Sequence, residues 1–393
     1  MLIIPELSMG GAQRSMASLS HILASAHHIW VVRFDQKHPV GYDFAGQLIS
    51  LDVSTGKSAW KKGVAFLKRI KRLKKIKKEL RIDVAVSFLE GADYVNLLSK
   101  AQETTMISIR GSKLHDPNIR KSFYWLRMHL LMPWLYKKAD MVIAVNQGIR
   151  QEMIQHFQLH PQKVEVVENG YHIERIMMMA KELKSDSENN VYRNRVLVTS
   201  GRLAPEKGLQ GIIRVFESVR MSLSNAKLVI LGDGPQKTFL ESLVHELKRT
   251  FAETFDEEAD VYFVDPQSNI YKYLYGTHFY LMNSVSEGFP NGMVEAMICG
   301  VPVMVADCPY GPREILTKAG VGEEIGNGAT RTSAGFLMPN IDDDRTVNLW
   351  ANLLIETMKD DQQMIGMGKA GRLIAGDYDI TNAQKKWLDL VEH

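Results

Sequence analysis

Short, unbroken apolar runs recur along the whole chain, and longer amphipathic segments separate them. Val84-Ala85-Val86, Met106-Ile107-Ser108-Ile109, Met141 to Val145 and Lys163 to Val167 are such runs in the first half. Each is too short for a buried helix, and most lack the polar alternation of a strand with one wet face. Such runs read as strands covered on both sides. Gly11–Ala24, Ala59–Leu80, Phe123–Leu135 and Gln147–Phe157 read as the helices between or beside them. Strand and helix in alternation predict an α/β chain, a parallel sheet with helices on both faces.

The rhythm pauses at the Asn169-Gly170 turn and at a polar segment, Lys181 to Arg195, then restarts. Val196–Val198, Leu228–Leu231, Val261–Val264, Phe279–Leu281 and Pro302–Val305 are the second set of strands. Ile212, Ile213, Phe216 and Val219 give one following helix a clean apolar stripe. The chain therefore divides into two doubly wound halves, residues 1–170 and 171–377, which fits a length of 393. Open parallel sheets bind ligands beyond the carboxyl ends of their strands, so two facing halves would make a cleft between them. The chemistry belongs in loops that follow strands.

Three such loops stand out. Ser286-Glu287-Gly288-Phe289-Pro290-Asn291-Gly292-Met293-Val294-Glu295-Ala296 follows one strand and opens a helix. First-turn amides near Asn291 to Met293 have no helical partner and suit anionic or hydroxyl oxygens. Glu287 and Glu295 are carboxylates that match vicinal hydroxyls; two unrelated surface acids beside a helix cap is the competing reading. Ser200-Gly201-Arg202-Leu203-Ala204-Pro205-Glu206-Lys207-Gly208 places two cations, Arg202 and Lys207, after another strand. They fit phosphate, or they are solvated loop charges. Met9-Gly10-Gly11-Ala12-Gln13 follows the first strand, and paired glycines let backbone approach a ligand, although a plain tight turn explains them equally. Together these groups match a nucleotide sugar: cations and helix ends for pyrophosphate, carboxylates for ribose and sugar hydroxyls.

At these residues the chain resembles glycosyltransferase family 4, retaining enzymes of the GT-B fold, two facing Rossmann-like domains with a cleft between them. The resemblance rests on Glu287-x7-Glu295, Gly201-Arg202-Leu203-x-Pro205-Glu206-Lys207-Gly208, Leu231-Gly232-Asp233-Gly234-Pro235 and Gly10-Gly11-Ala12-Gln13. Asp307-Cys308-Pro309-Tyr310-Gly311-Pro312-Arg313-Glu314-Ile315 looks most like bacterial enzymes that build lipid-linked glycans for capsule, O-antigen or glycoprotein assembly. The resemblance implies that Arg202 and Lys207 bind the donor pyrophosphate and that Glu287 contacts the transferred sugar. It implies Glu295 at the ribose, the amides of Phe289, Pro290, Asn291, Gly292 and Met293 around sugar and diphosphate, and backbone near Val264 and Asp265 at the base. (Pro290, which has no N–H, enters only as part of that backbone run.) Gly10 and Gly11 would approach the diphosphate from the other domain, and closure about Asn169-Gly170 would complete the site. The terminal helix, 378–393, is expected to pack back on the first domain. Where many relatives carry a histidine after an N-domain strand, this chain has Arg110 in Ser108-Ile109-Arg110-Gly111-Ser112, a candidate for acceptor or donor phosphates. His115 is read as an ordinary loop residue. Relatives usually carry several residues ahead of the first strand's apolar core, inside which this chain begins.

No cofactor is expected beyond the donor, and no metal. Asp377-Tyr378-Asp379, an Asp-x-Asp beside the terminal helix, reads as a helix cap. Cys299 and Cys308 are the only cysteines, which excludes a disulfide framework and a cysteine zinc site and fits a reducing compartment. The start, Met1-Leu2-Ile3-Ile4-Pro5, lacks the basic region of a secretory signal.

Charge adds one more constraint. The net charge is +3, yet Trp60 to Arg81 alone carries +10, leaving −7 for the remainder. A mildly acidic protein with one basic segment is not a general nucleic-acid binder, and no aromatic platform accompanies the charge. Phe66, Ile70, Leu73, Ile76 and Leu80 make a narrow helical stripe there, with Lys or Arg in most other positions. A solvated helix face is the plain reading. Attachment to an anionic leaflet is the other, at about 1 kcal/mol per basic residue near the surface. The resemblance adds an acceptor diphosphate, which Lys71, Arg72, Lys74, Lys75 and Lys78 would serve together with the lipid surface. The expectation is a metal-independent transferase peripherally attached to the cytoplasmic face of the membrane. It would move a sugar from a nucleotide donor, UDP-linked, to a polyprenyl-diphosphate-linked saccharide. A GT-B epimerase or phosphorylase, or a non-enzymatic membrane-surface protein, is the alternative.

Overall fold

The computed structural model describes the chain except residues 9, 37, 38, 55, 57, 116–123 and 393. Met9 and Phe123 of the segments read above therefore lie outside the described residues. Two compact units emerge: Met1–Gly170 with Ile380–His393, and Tyr171–Asp379.

The first unit holds seven strands: β1 (Leu2–Ile3), β2 (Trp30–Arg33), β3 (Gln47–Ser50), β4 (Val84–Phe88), β5 (Thr104–Ile109), β6 (Met141–Ala144) and β7 (Val164–Val166). Their order is β3-β2-β1-β4-β5-β6-β7, and every pair is parallel. Strand periodicity of two sorts the core onto the two faces. Ile3, Val32 and Ala85 join Leu73, Ala92 and Val95 on one side. Leu2, Val31 and Val86 join Met16, Leu19, Ile380 and Trp387 on the other. Helix Ile380–Glu392 packs there on helix Gly11–Ala24.

Between β5 and β6 the helix expected through Leu135 is broken. Helix Tyr124–Leu126 opens into a π turn, Arg127–Leu131, and resumes as Met132–Tyr136. Pro133 has no amide to continue the i→i−4 ladder, and a wider turn absorbs the misfit. Arg127 clamps the segment by donating through Nε to Glu90 Oε1 at 2.7 Å.

The second unit holds β8 (Arg195–Ser200), β9 (Ala226–Leu231), β10 (Phe251–Ala252), β11 (Val261–Val264), β12 (Phe279–Met282), β13 (Val303–Ala306), β14 (Glu323–Gly326), β15 (Ala329–Thr332) and β16 (Gly335–Met338). The order is β10-β11-β9-β8-β12-β13-β16-β15-β14. Pairing is parallel as far as β16, then antiparallel through β15 and β14. Asn327 and Gly328, both at positive φ, form the two-residue turn of the β14–β15 hairpin. The polar segment Lys181 to Arg195 holds a helix of its own, Asp186–Tyr192, closed by a Ser185/Glu188 capping box.

Candidate functional site

All parallel strands of the second unit end on one edge of the sheet, and the loops there are knitted by backbone bonds. Gly201 N donates to Leu231 O at 3.0 Å, Gly232 N to Val264 O at 2.9 Å and Leu203 N to Asp233 O at 2.9 Å. Gly232 sits at φ +145°, and a Cβ there would lie 2.0 Å from Gly201 O. Only glycine permits that approach. The Gly201–Gly208 run and Leu231-Gly232-Asp233-Gly234-Pro235 are thus one continuous rim.

At this rim Lys207 meets Glu287. A 3-10 turn, Pro205–Lys207, ends at left-handed Gly208, whose carbonyl accepts from Asn283 Nδ2 at 3.1 Å. Val285 N donates to Glu206 O at 2.9 Å, so the two loops run side by side. Lys207 Nζ then donates to Glu287 Oε1 at 2.6 Å, and Ser284 Oγ donates to the same oxygen at 2.6 Å. Burial works against the Lys207 ammonium, but the attraction and hydrogen bond of Glu287 hold its pKa above the usual 10.5. Glu287 is anchored from a third strand end, because its N–H donates to Pro309 O at 2.9 Å and its carbonyl accepts from Tyr310 N at 3.0 Å. Arg202 is exposed.

Beside the pair, helix Asn291–Ile298 starts after Pro290. Val294 N makes the first i→i−4 bond, to Pro290 O, so the amides of Gly292 and Met293 have no intrahelical acceptor. Gly292 fits only because it lacks a side chain: a Cβ would lie 2.2 Å from the Tyr280 hydroxyl and 2.8 Å from Ser200 Oγ. Tyr171 donates its hydroxyl to Asn291 Oδ1 at 2.5 Å. Phe289 packs its ring on Tyr378 at 5.4 Å. Glu295, one turn into the helix, is only 2% exposed. Val264 is buried with its carbonyl on Gly232 N, and Asp265 is exposed and pairs with Lys237 at 3.2 Å. Burial pushes both thiols, Cys299 and Cys308, up to about 12, which makes them poor nucleophiles.

Ser284, Tyr171 and Asn283 had no part in the sequence reading, and Ser200 and Tyr280 entered it only as members of a loop run and a strand, with no role of their own. Ser284 is three residues before Glu287, Ser200 ends β8 and Tyr280 lies within the adjacent β12, which is the only signal they carry.

The remaining candidates lie in the first unit. Gly10 precedes helix Gly11–Ala24. Arg110 directly follows β5 and donates to Ser15 Oγ at 2.9 Å and to Asn169 Oδ1. The guanidinium thus ties a strand end to a helix and to Asn169, next to the end of the unit's first segment. His115 accepts or donates at Ser112 Oγ, 3.0 Å away, in a loop that buried Glu152 holds through Ser112 Oγ at 2.6 Å and Lys113 N at 2.6 Å. Among the described residues no group of three or more His, Cys, Asp or Glu is placed to hold a metal ion.

The basic segment is helix Ala59–Glu79, and its charges are not equivalent. Lys77, 2% exposed, is a core residue that donates to Glu103 Oε1 at 2.7 Å and Asn96 Oδ1 at 2.7 Å. Arg69 donates to Val53 O at 2.7 Å and caps the Phe34 ring at 4.3 Å. Arg72 donates to Leu51 O and Asp52 O, and Lys75 lies 3.6 Å from Glu79. Lys71, Lys74 and Lys78 are exposed, as are Lys75 and Arg72. No helix among the described residues is long and apolar enough to cross a membrane.

Comparison with known proteins agrees with this architecture. A family model described as "Glycosyl transferases group 1" matches residues 180–369, and one described as "Glycosyltransferase Family 4" matches residues 9–175. The chain is a glycosyltransferase of the GT-B fold. It belongs with glycosyltransferase family 4. A glycosyltransferase of Methanocaldococcus jannaschii is 27% identical over 348 residues, 83% of each chain. A Campylobacter jejuni relative is 27% identical over 320 residues, 80% of this chain and 82% of its own. It is named N-acetylgalactosamine-N,N'-diacetylbacillosaminyl-diphospho-undecaprenol 4-alpha-N-acetylgalactosaminyltransferase. Among solved structures, Anabaena HepE in complex with UDP aligns at TM-score 0.71 and 18% identity, covering 100% of this chain and 98% of that one. WaaG, a glycosyltransferase involved in lipopolysaccharide biosynthesis, aligns at TM-score 0.72 and 15% identity, covering 100% and 99%.

Proposed function

We propose that this glycosyltransferase moves a sugar, with retention of configuration and without a metal, from a UDP-linked donor to a polyprenyl-diphosphate-linked saccharide. The observation that carries the reading is the Lys207–Glu287 pair, 2.6 Å apart at strand ends beside the free amides of Gly292 and Met293. As the glycosidic bond breaks, the departing nucleoside diphosphate gains negative charge. Lys207, with exposed Arg202 near it in the same loop, meets that charge, and the helix amides add fixed dipoles. Such groups stabilise the transition state more than the ground state. Glu287 holds the Lys207 ammonium by one oxygen and contacts the transferred sugar. Glu295 would serve the ribose once the loop opens to donor, and backbone at Val264–Asp265 the base. A UDP donor is supported by the HepE complex. A lipid-diphosphate acceptor is supported by the name of the Campylobacter relative.

The acceptor side is assigned to the exposed cations Lys71, Lys74, Lys75 and Lys78, with Arg72 beside them and Arg110 as a positioning residue held by Asn169. They would serve both an anionic leaflet on the cytoplasmic side and the acceptor diphosphate. Changing Lys71, Lys74, Lys75 and Lys78 together to glutamine should abolish binding to anionic liposomes and raise the acceptor KM. Unchanged values for both would sink the assignment. An epimerase consumes donor alone and a phosphorylase needs inorganic phosphate, so incubating UDP-sugars with and without lipid acceptor, and with and without inorganic phosphate, separates all three.

A further inference from the structure

Apolar side chains that the core does not use crowd one short segment of the first unit. Met128, Met132, Leu135 and Tyr136 face inward and are buried. Leu126, Leu130 and Leu131 face outward together with Trp125, 64% exposed, and Trp134, 54% exposed. The break into a π turn spreads them over a wide outer face. The element presenting them is held down, because Glu90 binds both Arg127 and the Tyr94 hydroxyl. Lys138 lies 4.5 Å over the Trp134 ring, a cation and an indole at one depth.

The position decides what covers this face. Helix Glu90–Leu98 is in contact with the basic helix Ala59–Glu79 and also with Met132–Tyr136. The crossovers β3→β4, β4→β5 and β5→β6 all run in one direction along the sheet, so right-handed connections put these helices on one face. The apolar patch and the exposed lysines are therefore on the same side of the unit, and Trp60 adds a further indole, 81% exposed, at the start of the basic helix. A second copy of the chain would bring two cationic surfaces together, which repels. An anionic bilayer satisfies both parts at once: lysines at the phosphates, tryptophans at the headgroup level and leucines in the acyl boundary.

We infer that Trp125, Leu126, Leu130 and Trp134 form an insertion element that seats the first unit in the membrane interface. The inference rests on the membrane-facing reading of the basic helix and adds to it an apolar, salt-resistant component. The test uses the full chain with vesicles of phosphatidylcholine alone and of phosphatidylcholine with phosphatidylglycerol, some carrying brominated acyl chains that quench buried indoles. The wild type should bind the anionic vesicles and be quenched by bromine. Trp125→Ser with Trp134→Ser should lose most of the quenching and bind about tenfold more weakly, while the remaining binding stays salt-sensitive. Leu126→Gln with Leu130→Gln, which keeps the indoles, should weaken binding likewise, and both variants should melt with the wild type. Quenching and affinity unchanged in both variants would overturn the inference and leave the basic-helix reading standing. Loss of a wild-type dimer in the tryptophan variant, with vesicle binding unchanged, would also overturn it by making the face a self-interface. Absence of any vesicle binding by the wild type would overturn both.

Discussion

Replacing Lys207 by alanine removes the one side chain that the structure places on Glu287 at 2.6 Å with a raised pKa. Two consequences are separable. In turnover, a fixed cation no longer meets the charge on the departing diphosphate. Loss of one preorganised donor of this kind costs about 10²–10³ in kcat, roughly 2.7–4 kcal/mol. In stability, the side chains are 28% and 11% exposed, so Glu287 loses a partner in a half-dry setting and keeps its bond from Ser284. That costs about 1–3 kcal/mol, which lowers the melting temperature by about 2–12 °C for a unit of this size. The stability difference should not vary with pH in the neutral range. A lysine whose folded pKa is raised contributes fully below 10.5, its ordinary value, and loses the contribution only as pH climbs past the folded value. The assay is product formation at saturating donor and acceptor, beside thermal melts across pH. The Lys207→Ala, Glu287→Ala double variant should cost less stability than the sum of the two singles. Turnover within about twofold of wild type, in a folded Lys207→Ala protein, would refute the role given to this cation.

Arg202→Ala, at an exposed position, should leave stability within about 0.5 kcal/mol of wild type while reducing turnover; steady-state kinetics beside melts decides it. Gly292→Ala drives a methyl to 2.2 Å from the Tyr280 hydroxyl and should cost about 1–3 kcal/mol. Tyr280→Phe in the same chain should recover part of the loss in a denaturant titration. Lys77→Ala strands Glu103 in the core and should cost about 3–5 kcal/mol, whereas exposed Lys74→Gln should cost almost nothing, as chemical denaturation will show. Burial, then the nearby Arg195, lowers the pKa of His278 to about 4, and its neutral Nδ1 accepts from Val196 N at 3.2 Å. The unfolded chain therefore binds the proton first, and stability should fall as pH drops from 6.5 towards 4. The fall should be shallower in His278→Gln.

The parallel sheets were legible because their strands are covered on both faces. Val84, Met106, Met141, Val196, Leu228, Val261 and Phe279 each mark a run that the structure turns into a strand. The hairpin β14–β15 was not, since Glu323-Glu324 and Thr330-Arg331-Thr332 carry no apolar run. Its signal was the Asn327-Gly328 pair, which suits a turn with two positive φ values. Lys77 entered the sequence reading only as one charge in the +10 of Trp60 to Arg81, and charge normally stays wet. Its spacing said otherwise, four residues after Leu73 and so on the buried stripe. In the site, the loops were visible from glycine and charge after strands. The pairing of Lys207 with Glu287, rather than of Glu287 with Glu295, depends on which strands are neighbours. That β12 lies between β8 and β13 is a tertiary fact, and it alone brings Ser200, Tyr280 and Gly292 together.

The most direct test of the account is turnover with UDP-sugars in the presence and absence of a polyprenyl-diphosphate-linked saccharide. Release of UDP together with a lengthened lipid-linked glycan, only when both substrates are present and lost in Lys207→Ala and Glu287→Ala, is the predicted result. Conversion of the donor without acceptor, or turnover that survives both substitutions, would contradict it.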